Sequence, residues 1–141
     1  MRVIGLVGVA FLVTSCIGGF FGDPAASTDY VVTGGRADRM GELVRDVASA
    51  NGLELFRHRH PQPRYPYREY TNWAPGGQVS IWLTLDTRAP FLISIREKYT
   101  STRSAKHRKI TRDLETQLAQ ARIAFHRPTV DELLGLRSER N

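Results

Sequence analysis

Hydrophobic and polar positions follow two different periods along this chain, and the changes of period mark its elements. "YVVT" at 30–33 reads as a strand closed by Gly34 and Gly35. Met40, Leu43, Val44, Val47 and Ala48 then recur at three- and four-residue steps, which predicts a helix over 37–51 with Gly52 as its stop. "LELFRH" at 53–58 alternates enough for a second strand. Residues 59–77 contain Pro61, Pro63, Pro66 and Pro75, so they are expected to form a long irregular loop, of a kind often tied to function. In "QVSIWLTLDT" the residues Val79, Ile81, Leu83 and Leu85 share one face, and "FLISIREKY" repeats the pattern with Phe91, Ile93 and Ile95. Joined by a short connection, the two predict an antiparallel pair.

A second helix is predicted over 102–121 from the stripe Ile110, Leu114, Leu118 and Ala121. Beyond it "RIAFHR" either extends the helix or forms a last short strand, and Pro128 ends it in both cases. "TVDELLGL" has Thr129 and Glu132 at capping-box spacing, enough for a final turn or two of helix. This order predicts an α+β domain, with a mainly antiparallel sheet of about four strands and two main helices on one face. The rhythm is loosely ferredoxin-like, which carries no functional implication.

Composition narrows the partners rather than the chemistry. The chain has 141 residues, room for one domain, and 20 Lys and Arg against 14 Asp and Glu give it a net charge of +6. That surplus favours acidic partners such as anionic lipid, acidic glycan or nucleic acid. A single cysteine, Cys16, excludes an intramolecular disulfide and a multi-cysteine zinc site. It ends an apolar run: residues 3–13 are all apolar or glycine, preceded by Arg2, which is the arrangement of a secretory signal.

The order Val13, Thr14, Ser15, Cys16 resembles the bacterial lipoprotein signal, in which a Leu or Val, one tolerant position and a small residue precede an obligatory Cys. The resemblance implies cleavage after Ser15, diacylglycerol on Cys16 through a thioether, and acylation of the new amino group. Ile17 stands where the inner-membrane-retention signal of such lipoproteins places Asp, which implies sorting to the outer membrane, facing the periplasm. The alternative is an uncleaved anchor, since residues 3–21 form an uncharged run of 19. The organisation expected is a signal peptide over 1–15, a lipidated tether over 16–29 and a single domain over 30–141. With the body outside the cytoplasm under both readings, nucleic acid drops out as a partner.

Candidate chemistry concentrates in "RHRHPQPRYPYREY". Arg57, Arg59, Arg64 and Arg68 interleave with Tyr65, Tyr67, Tyr70 and Trp73, so guanidinium pairing and ring stacking can serve an anionic envelope ligand or an acidic protein. The competing reading folds the rings over an open sheet face and leaves the arginines solvated. His58 and His60, two apart, can meet one metal ion if His126 or Glu69 supplies a third ligand. They centre the alternative function, a small envelope enzyme or metal-handling protein. A second basic cluster, Arg103, Lys106, His107, Arg108, Lys109 and Arg112, opens the second helix against its dipole. In it His107 is expected to be a capping or half-buried structural residue. No catalytic or phosphate-cradling motif is present, so no cofactor is implied. The function expected is binding or structural association.

Overall fold

A computed structural model describes residues 25–56, 67–72 and 81–140. The chain folds as α+β with an antiparallel sheet and three helices. The strands are β1 (Ala25–Val32), β2 (Glu54–Leu55), β3 (Tyr67–Thr71), β4 (Ile81–Asp86), β5 (Phe91–Lys98) and β6 (Phe125–His126). The helices are α1 (Ala37–Ala50), α2 (Ala105–Gln120) and α3 (Val130–Ser138).

Among the described residues the sheet has six strands where the sequence pattern predicts about four, in the order β2-β3-β4-β5-β1-β6. Four consecutive strands lie between α1 and α2 where a ferredoxin-like rhythm has two. One extra strand comes from the segment expected to be irregular throughout. The prolines at 61, 63, 66 and 75 leave residues 67–74 free of proline, and "YREYT" inserts there as β3 between β2 and β4. The other is β6, which settles the ambiguity after α2. Arg122 takes φ 56, ending the helix, and Ile123 N–H donates back to the Leu118 carbonyl at 3.0 Å. Gly52, at φ 68, closes α1 in the same way, with Leu53 N–H on the Ala48 carbonyl at 2.9 Å.

The sheet also starts earlier than the expected boundary near Tyr30. Ala25 to Asp29, assigned above to the tether, pair in register with Lys98 to Ser94 of β5. Alternation explains why: Ala26, Thr28, Tyr30 and Val32 are all buried on one face.

That face packs on α1 and α2. The stripe Met40, Leu43, Val44, Val47 and Ala48 and the stripe Ile110, Leu114 and Leu118 close over Leu83, Leu85, Ile93 and Ile95, and all are buried. The opposite face is crossed by α3, which pairs Glu132 with His126 of β6 at 2.8 Å, Arg137 with Asp29 of β1 at 3.4 Å, and Arg140, just past the helix, with Asp86 of β4 at 3.2 Å. Thr129 caps α3 by accepting Glu132 N–H at 3.2 Å.

Candidate functional site

The sequence-predicted residues divide between described and undescribed parts of the chain. Cys16, Arg57, His58, Arg59, His60, Arg64, Tyr65 and Trp73 lie outside the described residues. Tyr67 and Arg68 open β3 and, being adjacent on a strand, point to opposite faces. Arg68 reaches α1, its guanidinium against Gly41. Tyr67 is on the face crossed by α3, where burial pushes its hydroxyl up to about 12, assisted by the charge of Glu69 and opposed by a hydrogen bond with Thr84. These two therefore do not form one ligand cradle. Glu69 and His126, the alternative third metal ligands, sit on strands separated by β4, β5 and β1, and His58 and His60, which either one would have to join, lie outside the described residues. Among the described residues no group of three or more His, Cys, Asp or Glu is placed to hold a metal, and no helix is long and apolar enough to cross a membrane.

The basic cluster of α2 separates into three parts. Lys109 is neutralised: it pairs with Asp113 at 2.7 Å and donates to Asn51 at 3.0 Å, and its hydrogen bond holds the Asp113 carboxyl below its ordinary range. His107 turns inward and is fully buried, beyond the half-burial expected of it. Its Nε2 meets Thr28 Oγ1 at 2.9 Å and its Nδ1 stands 3.4 Å from Glu97 Oε2, which also accepts Ser104 N–H at 2.9 Å. Burial depresses the imidazole pKa, the Glu97 charge pulls it back up, and Arg103 pushes it down again. Hydroxyl, imidazole and carboxylate thus stand in the order of a hydrolytic triad. Yet Thr28, His107 and Glu97 are 4%, 0% and 3% exposed, so no substrate reaches the hydroxyl and the group is a structural node. The helix cap is Ser104, whose Oγ accepts His107 N–H at 3.1 Å.

The third part faces solvent. An open depression of about 560 Å³ is lined by Ala26, Ser27, Ser101, Thr102, Arg103 and Arg108. Arg103 Nη2 donates to the Ser27 carbonyl at 3.0 Å, and Arg108 Nη1 donates to the Arg103 carbonyl at 2.6 Å. No family model matches this sequence, and no curated protein matches it. The chemistry must therefore be read from the site itself.

Position makes the depression notable. It borders the first described residue, Ala25, whose register partner is Lys98. Next to Lys98, Arg96 lies exposed opposite Ser27. Lys98 rests over the Trp82 ring at 4.9 Å, and Phe56 packs edge-on to the same ring at 5.0 Å. Among the described residues Arg96, Lys98, Arg103 and Arg108 form no ion pair with a carboxylate, so one end of the body carries concentrated positive charge. Sequence reading identified Arg103 and Arg108 but missed Ser27, Ser101, Arg96 and Lys98. The signal it passed over was the alternation starting at Ala26, which carries β1 back to this end.

Proposed function

We propose that this is a lipid-anchored envelope protein, held through Cys16 to the periplasmic face of the outer membrane, which acts by binding or structural association with its basic end against the anionic surface. The observation that supports it is the depression bordered by Arg103 and Arg108 beside Ala25, the point where the chain from Cys16 joins the body, with Arg96 and Lys98 on the adjoining strand β5. Nine residues, Cys16 through Pro24, precede Ala25. Covalent geometry limits them to about 30 Å even when fully extended. An anchor at Cys16 therefore keeps this end of the body within about 30 Å of the surface. A basic residue near an anionic leaflet contributes about 1 kcal/mol, effective only within a Debye length of about 8 Å at physiological salt. Four such residues beside a short tether fix orientation, while the acyl chains supply attachment.

The test is Cys16→Ala in the native host. The variant is expected to lose incorporation of labelled fatty acid and to accumulate as an unprocessed precursor. Unchanged labelling and unchanged mobility would sink the anchored reading.

A further inference from the structure

We propose that the depression beside Ala25 binds a phosphate group, presented by an anionic lipid headgroup of the surface on which the body rests. The inference deepens the anchored reading above and rests on it for the source of the phosphate. Two guanidinium groups border the depression, and each is pinned by one hydrogen bond to a carbonyl, Arg103 to Ser27 and Arg108 to Arg103. Those bonds fix the two forks at the rim and leave their other N–H groups free to donate. A planar fork of this kind matches phosphate oxygens two at a time.

The surroundings favour an anion. Glu97, the closest carboxylate along the strand leading to the depression, is turned into the core toward His107 and Ser104. Asp29 lies on the other face, held by Ser27 Oγ at 2.8 Å and by Arg137. Neither forms an ion pair with Arg103 or Arg108. The hydroxyl-bearing residues Ser101 and Thr102 line the same depression, and Thr102 is held in place by its N–H on Thr100 Oγ1 at 3.1 Å.

Strand geometry adds a backbone donor. On its outer side β1 pairs with β6 only at Val31 and Val32, and Thr33 N–H continues to the Ala124 carbonyl at 3.2 Å. The alternation of a strand turns the peptide group of Ser27 to this same outer side, and its carbonyl meets Arg103 there. Ser27 N–H thus faces a side where no described strand takes it up. Arginine forks and hydroxyls converge on a depression large enough for a phosphate, beside the Ser27 amide and at the end of the body where the chain from Cys16 enters it. A headgroup in the leaflet that holds the anchor meets the depression at high effective concentration, so weak intrinsic affinity suffices.

The test is an amide-resolved NMR titration of the full chain carrying Cys16→Ala, in a non-ionic detergent. The probes are inorganic phosphate, dihexanoyl phosphatidylglycerol and, as the zwitterionic control, dihexanoyl phosphatidylcholine. Saturable shifts at Ser27, Thr102 and Arg103 are expected with phosphatidylglycerol and weaker ones with the control. Affinity should fall about tenfold in Arg103→Gln and in Arg108→Gln, with the helical circular dichroism unchanged, and should hold in Lys106→Gln, whose side chain does not line the depression. Equal loss in all three variants, or shifts that never saturate, would reduce the site to diffuse charge and overturn the proposal. Saturation by inorganic phosphate with none by phosphatidylglycerol would overturn the lipid source. Because the titrated chain lacks Cys16, this outcome and that of the labelling test are independent.

Discussion

His107 should make the fold acid-sensitive in a way that a single substitution removes. Its side chain is fully enclosed, and burial holds its pKa below the ordinary 6.5 despite the pull of Glu97. The native protein then keeps the ring neutral at pH values where the unfolded chain already binds a proton. Stability from this site is complete above the unfolded value of 6.5 and is lost as pH falls from there toward the lower folded value. Within that window the unfolded state binds more protons than the native one, by less than a full proton, so the slope stays below the limit of about 1.4 kcal/mol per pH unit. Urea denaturation followed by circular dichroism from about pH 7.5 to about pH 5, on the protein and on His107→Gln, measures it. Glutamine keeps a polar group near Thr28 and cannot titrate, so the difference between the two curves cancels His126 and the carboxylates. The parent should lose stability relative to the variant as pH falls through and below 6.5, with a slope under about 1.4 kcal/mol per unit. Parallel curves would refute the reasoning. A parent gaining on the variant would mean that His107 is charged in the fold and paired with Glu97.

Arg122→Gly should raise stability by about 0.5–1 kcal/mol in thermal melts, because the left-handed φ of 56 costs an arginine what glycine avoids. Arg140→Met should release α3 from the sheet, with a loss of about 1–2 kcal/mol and faster amide exchange over residues 130–138, since it bonds the carbonyls of Arg88 and Pro90 and pairs with Asp86. A chain starting at Ala25 should unfold cooperatively. One starting at Tyr30 should not, because it discards the Thr28 contact to His107 and five register pairs with β5.

The helices and the central strands were legible because each presents one buried face at its own period. The stripe Met40, Leu43, Val44, Val47 and Ala48, the stripe Ile110, Leu114 and Leu118, and Ile81, Leu83, Leu85, Phe91, Ile93 and Ile95 of β4 and β5 are all core residues. What sequence reading missed was set by pairing across distance. β3 has only a short alternation and becomes a strand because β2 and β4 flank it. Ala25 to Asp29 mix small and polar residues, so the alternation of Ala26 and Thr28 is too weakly hydrophobic to stand out before β5 pairs with it. For the site, charge along the helix was visible, but the inward turn of His107 and Glu97, which leaves Arg103 and Arg108 unopposed, depends on β1 lying beneath α2.

The register of β1 also dictates an order of events in folding. The first strand of the sheet finds its long partner only at residues 91–98, and its short one only at 125–126. Until β5 exists, β1 has no neighbour to take up its backbone groups, and Tyr30, Thr28 and Ala26 have no sheet to be buried in. Contacts so distant along the chain slow folding. The N-terminal strand of the body therefore cannot be completed before residues 91–98 have been made, so its pairing closes the fold rather than opening it.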